Sequence, residues 1–263
     1  MTAARIFDYP AIPMSIASGL AFALIVAVGI AVMRRQVHPR LYGTQSANHA
    51  AEITLTVFGA FYGILLGLLA VGAYENMNNI DDVIANEASA MSVLYWNAEE
   101  FPQPVRDRLH TDLRSYAHEL VQHSFDEQSR GVKPTAERRY VRSIFDTVNA
   151  FEPKSKREES LQREALRGLS ELQDARNGRL SNVGIGIPGV LWWIVGLGAA
   201  ITLLLICLLN FPVKVHLLFG CLLAFFIGAM IYVIGAMDNP LTGADRTGPE
   251  RIQELLDAVA PPG

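Results

Sequence analysis

The sequence predicts an all-α membrane protein with four transmembrane helices and an extramembrane helical bundle inserted between spans two and three. Three observations predict this fold class. Hydrophobic residues make up 51% of the 263 residues and are concentrated in four blocks, which is typical of a multispan protein. Charged residues, only 18% of the chain, lie mainly between Glu75 and Arg179 or after Met237. The charged region has helical periodicity and lacks the period-two alternation of a strand.

The order of the blocks divides the chain into four predicted parts. Residues 1–74 contain transmembrane helices one and two, and residues 75–186 form the extramembrane helical region. Residues 187–237 contain transmembrane helices three and four. Residues 238–263 form a C-terminal turn and an amphipathic helix.

The first span is predicted from Ile12 to Met33, directly before Arg34 and Arg35. A cleaved secretory signal carries its positive charges before the apolar run, whereas here they follow it. We therefore expect this segment to remain in the protein as a transmembrane helix.

The second span, Ile53 to Tyr74, carries no charge and is long enough to cross a bilayer. No proline or glycine follows it directly, and a heptad seam continues beyond it. The sequence therefore predicts one long helix from Ala51 to Trp96. The seam contains one charged member among apolar residues: Ile80, Ile84, Glu87, Met91 and Leu94.

Glycines recur on one face of the second span, at Gly59, Gly63 and Gly67. Glycine lets two helix backbones approach closely in lipid, so this face is expected to pack against another helix. The fourth span carries a similar pair, Gly220 and Gly228. The alternative is that glycine is simply common in membrane helices.

The region after the second span is predicted to contain three further helices. Apolar stripes indicate helices from Val105 to His123, from Pro134 to Phe151 and from Pro153 to Arg179, with a polar loop from Asp126 to Lys133. The third span is then expected from Pro188 to Asn210 and the fourth from Val215 to Met237. The amphipathic tail helix follows from Pro249 to Val259.

The short loops set the expected orientation. Arg34, Arg35, Arg40 and Lys214 lie in short loops next to the spans, which places those loops in the cytoplasm by the positive-inside rule. The helical region and both termini then lie on the extracytoplasmic side. Four arginines near the other span ends argue the opposite way: Arg176, Arg179, Arg246 and Arg251.

Composition and motifs exclude several functions. The net charge of −4 and the absence of a basic stripe argue against a nucleic-acid partner. No catalytic motif or metal-ligand spacing is present, and Cys207 and Cys221 both lie in apolar blocks. We therefore expect no enzyme activity, no catalytic residue, no cofactor and no metal. The four spans also lack Asp, Glu, Lys and Arg, which argues against coupled transport but permits a pore.

Hydroxyl groups are the candidate lining of such a pore. The candidates are Thr54, Thr56 and Tyr62 on span two and Thr202 on span three. The alternative is that these side chains lie at membrane interfaces or hydrogen-bond to their own helix.

A charge network is predicted from Glu87, Arg176 and Arg179. Each residue lies on the apolar seam of its own helix, at about 18–20 Å beyond the span ends if the helices are straight. One helix leaves the membrane and the other returns to it, so the two run antiparallel and the charges should meet. The alternative is that they are exposed charges at the edge of the seam.

Several of these residues also match a family pattern: Glu87-Ala88, Tyr116, Arg176-Asn177-Gly178-Arg179-Leu180, Met237-Asp238-Asn239-Pro240-Leu241-Thr242-Gly243 and Pro249-Glu250. The chain, from about Glu52 to its end, resembles the bestrophin-like bacterial integral membrane family of uncharacterised function. Leu241 departs from the aromatic residue expected at that position.

The resemblance implies kinship with bestrophins, which are oligomeric ion channels. It thus implies a multi-pass protein of the bacterial inner membrane. The implied partners are membrane lipid, further copies of the chain and small inorganic ions. The expected function is a passive ion channel with a helical vestibule. The alternative is a non-conducting membrane scaffold or sensor whose helical region binds a partner.

Overall fold

The computed structural model describes residues 11–36, 45–183, 186–238, 241 and 248–258. Within these ranges all regular secondary structure is helical, which confirms the predicted all-α class. A π-helical turn, Leu120–Ser124, joins the helix Val105–Glu119 to the short helix Phe125–Ser129. The helices are α1 (Ala11–Gln36), α2 (Gln45–Glu99), α3 (Val105–Glu119), α4 (Phe125–Ser129), α5 (Arg138–Asn149), α6 (Lys156–Ser181), α7 (Gly189–Leu208), α8 (Val213–Asp238) and α9 (Glu250–Ala258).

In the described part of the chain, four helices are long and apolar enough to cross a membrane, as predicted. These segments are Ile12–Gln36, Asn48–Glu99, Gly189–Leu208 and Val213–Asp238. The second is the single long helix expected from the absence of a proline or glycine after the apolar run. Arg40, Asn239, Pro240, Thr242, Gly243 and Arg246, which the sequence analysis singled out, lie outside the described residues.

The chain divides into two compact units. Unit 1 comprises Met1–Met77 with Gly186–Asp245, and unit 2 comprises Asn78–Ile185 with Arg246–Gly263. The first part of α2 therefore belongs to unit 1 and its second part to unit 2.

Unit 1 is built on close packing of α1 against α8. A β-carbon added at Gly228 would lie 2.7 Å from the Phe22 ring and 2.8 Å from the Ser18 carbonyl oxygen. A β-carbon at Gly220 would lie 3.1 Å from Ile206. Both glycines therefore pack against other helices of the same chain, where the missing side chain lets the helices approach.

Unit 2 buries the apolar seam of α2 against α3, α5 and α6. Its core residues come from all four helices and include Ile84, Met91, Leu113, Ile144 and Leu172. The tail helix α9 adds Ile252 and Leu256 to this core.

The loop expected from Asp126 to Lys133 begins later than predicted. The helical path continues through the π-helical turn and α4 to Ser129, because Phe125 and Gln128 are buried and hold this segment against the core. The chain turns at Gly131, whose φ of +76° is a conformation that glycine adopts without steric cost.

Candidate functional site

The first candidate feature is an uncovered face on the membrane-spanning part of α2. β-Carbons added at Gly59, Gly63 and Gly67 would meet no atom of the described residues within 4 Å. We call these three residues the glycine face. Gly220 and Gly228 differ from the glycine face, because other residues of the chain cover them.

The glycine face continues into a wider uncovered apolar surface of the same helix. Phe61 and Leu68 are 70% and 69% exposed, and Ile64 is also exposed. In the apolar spanning stretch of each helix, only 11% of α2 is buried, against 33% in α7 and in α8. Of the described spans beyond the first, α2 is thus the one that the rest of the chain covers least.

The four candidate pore hydroxyls fall into two groups. Thr54 and Thr56 are exposed, and their hydroxyls donate to the carbonyls of Ala50 and Glu52, at 2.8 and 2.9 Å. An i−4 hydrogen bond of this kind uses the hydroxyl proton and leaves the oxygen facing outward as an acceptor.

The other two hydroxyls form hydrogen bonds within the folded chain. Tyr62 is buried and donates to the Val195 carbonyl at 3.0 Å, which ties α2 to α7. Thr202 is also buried and donates to the Gly198 carbonyl at 2.8 Å. Neither hydroxyl faces open space in the folded chain, so the proposal below considers Thr54 and Thr56.

The second candidate feature is a buried ion network in unit 2. Glu87 and Arg179 are both fully buried and form a two-pronged pair: Arg179 Nε donates to Glu87 Oε2 at 2.5 Å, and Nη2 donates to Oε1 at 3.1 Å. Such a bidentate geometry fixes both side chains and satisfies each charge with the other. The structure thus brings together two of the three residues of the predicted charge network.

Arg176 joins the network through a different carboxylate. Its Nε donates to Glu137 Oε1 at 3.0 Å. Glu137 is fully buried and also accepts from Arg179 Nη2, at 3.0 Å to each of its oxygens. Two carboxylates therefore face two guanidiniums, and the buried charges balance.

Two aromatic residues complete the network. The Tyr116 hydroxyl donates to Glu87 Oε1 at 2.5 Å, and the Arg179 guanidinium lies 5.7 Å from the centre of the Phe125 ring. Burial, followed by the charge of Glu87, raises the pKa of Tyr116 well above its usual value. Burial alone would lower the pKa of Arg179, but Glu87 and then Glu137 outweigh it and raise that pKa.

The network fastens four segments together. Glu87 belongs to α2, Tyr116 to α3 and Arg179 to α6, while Glu137 immediately precedes α5. Its ionic groups are paired with one another, so the arrangement acts as a clamp. Among the described residues, no group of three or more His, Cys, Asp or Glu could hold a metal ion.

Glu137 was missed in the sequence analysis. It lies inside the helix predicted from Pro134 to Phe151, before the first apolar residue of its stripe. The spacing could have revealed it, because Glu137 lies four residues before Val141 and seven before Ile144, on the buried face of that helix.

Asp238, part of the family pattern, connects the end of α8 to the start of α7 in unit 1. It is buried and accepts from the Ile187 backbone N–H at 2.5 Å and from Trp192 Nε1 at 3.1 Å. It thereby satisfies a backbone donor that precedes the first turn of α7, where no intrahelical partner is available.

Comparison with solved structures supports the same fold. A variant of a bacterial bestrophin homologue from Klebsiella pneumoniae is 12% identical, with a TM-score of 0.70 over 94% of this chain and 98% of that chain. A second variant is 13% identical, with a TM-score of 0.66 over 96% and 100%. Another structure, described as a membrane protein, is 14% identical, with a TM-score of 0.70 over 92% and 96%. At these identities, the likeness establishes the fold.

Comparison with curated proteins finds no match for the chain. The family profile described as a bestrophin-like domain, in contrast, matches residues 21–252. The match covers most of the chain and confirms the resemblance that was drawn from the motifs around Glu87, Arg179 and Asp238. The chain therefore belongs to the bestrophin-like family of membrane proteins.

Proposed function

We propose that this protein is a passive ion channel formed by several copies of the chain, with α2 of each subunit beside a central path. The observation that carries the proposal is the uncovered glycine face of α2. A membrane-spanning helix with a smooth, unoccupied face is suited to pack against a helix of another subunit. Family membership supports the same conclusion, since bestrophins are oligomeric channels.

The chemistry of the span fits passive conduction. The span segment of α2 between Ile53 and Tyr74 contains no Asp, Glu, Lys or Arg, whereas proton-coupled carriers usually keep such groups in the membrane. Thr54 and Thr56 are exposed on this helix and present oxygens that an ion could contact. In this proposal, Gly59, Gly63 and Gly67 set the helix contacts. Thr56, three residues before Gly59, lies on the same side of α2 and borders the path, whereas Thr54 lies about 160° away around the helix.

Unit 2 forms the extramembrane helical bundle of this proposal, inserted between spans two and three, and surrounds a vestibule. The ion network supports this role, because it holds the second part of α2 firmly to α3, α5 and α6. Clamping of this kind keeps the helices that border an ion path in one arrangement.

We place unit 2 and both termini on the extracytoplasmic side of a bacterial inner membrane. Arg34, Arg35 and Lys214 lie in or beside short loops, where positive charges favour the cytoplasm. Arg34 donates to the Phe211 carbonyl, so these two loop regions meet at one end of unit 1. Labelling of Lys154→Cys in intact cells with a membrane-impermeant reagent tests this orientation, and labelling only after lysis would reverse it.

Flux through liposomes containing the purified protein tests the main proposal. We expect Na⁺, K⁺ or Cl⁻ to cross without nucleotide or a proton gradient. Thr56→Val should change the flux, because it removes an exposed oxygen from α2. Thr111→Val is the matched control, since the Thr111 hydroxyl makes the same i−4 bond, to Asp107, on an exposed face of α3.

Silence towards all three ions from correctly folded, reconstituted protein would refute the channel. It would favour the second class of function, a non-conducting scaffold or sensor whose helical unit binds a partner. If Thr56→Val and Thr111→Val change the flux equally, the protein still conducts, but α2 does not line the ion path.

A further inference from the structure

A groove with a strongly basic lining lies along α5 and α6 in unit 2. Its volume is about 740 Å³, within the range of small-molecule sites. Four cations line it, Lys133, Arg138, Arg142 and Arg176, and its lining includes no carboxylate. We call it the basic groove. In a chain of net charge −4, this concentration of positive charge is unusual.

Most of this positive charge is not neutralised by neighbouring groups. Lys133 and Arg138 are exposed and have no ion-pair partner among the described residues. Within the described ranges, Arg142 makes only a long, exposed contact, 3.6 Å from its Nε to Asp146 Oδ2. Exposed pairs of that kind contribute little, so the groove keeps a positive potential that attracts anions.

Arg176 gives the groove one cation that is fixed in place. Its side chain is 13% exposed, and its Nε is bonded to the buried carboxylate of Glu137. Among the described residues, its terminal nitrogens have no other partner, so they remain able to donate. A guanidinium held in this way is preorganised for a planar or tetrahedral oxyanion and loses little entropy on binding.

The remaining lining divides into an apolar and a polar part. Val141, Phe145 and Leu180 form the apolar part, and Phe145 is 45% exposed. Thr135 and Asn177 offer neutral hydrogen-bonding groups. The groove therefore suits a ligand with an anionic head and an apolar body.

We propose that the basic groove binds an organic phosphate. Several cations around one cavity favour a dianion over a single carboxylate, and arginine forks match phosphate oxygens in pairs. The phosphate reaches the groove either on a soluble ester or on the headgroup of an anionic lipid, and both present the same chemistry. Because Glu137 links Arg176 to Arg179 and Glu87, an occupied groove stabilises unit 2 as a whole.

Calorimetric titration of the intact protein in neutral detergent with phenyl phosphate tests the proposal. The variant Lys133→Gln with Arg138→Gln should lower the affinity by at least about tenfold, because it removes two charge-assisted donors. The matched control, Lys154→Gln with Lys156→Gln, removes two exposed charges outside the groove and should bind like the wild type. Phe145→Ser should weaken phenyl phosphate but not inorganic phosphate.

A second arm identifies the source of the phosphate. Thermal unfolding is compared in nanodiscs of phosphatidylglycerol and of phosphatidylcholine, with and without phenyl phosphate. If phosphatidylglycerol stabilises the wild type but not the groove variant, the bound phosphate is that of the lipid headgroup. If phenyl phosphate stabilises the wild type in phosphatidylcholine, the bound phosphate is that of a soluble ester. Equal behaviour of groove and control variants in both arms overturns the proposal. A change in oligomer mass of the groove variant, without a change in phosphate binding, also overturns it and makes the groove a contact between copies.

Discussion

Replacement of Glu87 by alanine is the most direct test of the ion network. Glu87 is fully buried and accepts three hydrogen bonds, two from Arg179 and one from Tyr116, between 2.5 and 3.1 Å. Glu87→Ala removes these acceptors together with one of the two buried carboxylates of the network. The remaining carboxylate, Glu137, must then serve both Arg179 and Arg176.

The expected cost follows from that imbalance. Removing one partner of a buried ion pair lowers the free energy of unfolding by about 3–5 kcal/mol, because the other charge stays buried without its counterion. Glu137 keeps two contacts of 3.0 Å to Arg179 and so prevents complete isolation of the guanidinium. An exposed helical pair offers a control: Glu171→Ala breaks only its contact to Arg167 and should cost about 0.3–0.5 kcal/mol.

Denaturant titration of the detergent-solubilised protein, followed by tryptophan fluorescence, gives the free energies. A double-mutant cycle with Arg179→Met then isolates the pair, since methionine fills much of the space of the arginine stem. The double variant leaves Glu137 balanced by Arg176, so it should cost at least about 1 kcal/mol less than the sum of the single changes.

Two results would refute this reasoning. One is a cost for Glu87→Ala no larger than that of Glu171→Ala. The other is additivity of Glu87→Ala and Arg179→Met to within about 0.5 kcal/mol, which is the behaviour of independent sites.

Three further predictions concern other parts of the molecule. Gly63→Leu should lower the mass of the oligomer in detergent, measured by light scattering, and its thermal stability. Gly196→Leu, at an uncovered position of α7, is the control and should change neither. Equal effects of the two variants would show that the glycine face is not part of the interface. Asp238→Ala should lower the free energy of unfolding by about 1–3 kcal/mol, because Trp192 Nε1 and a backbone N–H lose their acceptor, and an unchanged denaturation midpoint would contradict this. Because the pKa of Tyr116 is raised in the folded chain, the unfolded chain binds fewer protons than the folded chain above a pH of about 10. The free energy of unfolding should therefore fall as the pH rises above that value, and Tyr116→Phe should flatten the fall.

The elements of the fold were predictable because their signals are local. Uninterrupted apolar length identified the four spans, and the absence of a breaker after Tyr74 identified the continuous helix α2. Heptad spacing placed Glu87 among buried apolar positions, and the same spacing placed Arg176 and Arg179 on the seam of α6. A charged residue inside an apolar seam needs a partner, so the sequence could indicate that a pairing was required.

The choice of partners was not predictable from spacing alone. Arg176 and Arg179 lie one helical turn apart, so the estimate of height could not decide which of them faces Glu87. The decision depends on Glu137, a third element that supplies a second carboxylate to both arginines. Its position depends on how α5 packs, which no local pattern of α2 or α6 encodes.

The glycines show the same division between local and tertiary information. Gly63 and Gly228 look alike in sequence, since each belongs to a series of small residues spaced by four in an apolar helix: glycine at 59, 63 and 67, and Gly220, Ala224 and Gly228. In the structure, Gly228 is covered by Phe22 and Ser18, whereas Gly63 is exposed. An apolar helix has side chains of similar hydropathy on every face, so its sequence shows that a face is smooth without showing which helix covers it. The uncovered face is therefore information that only the folded chain provides, and the proposal that a second copy packs there depends on it.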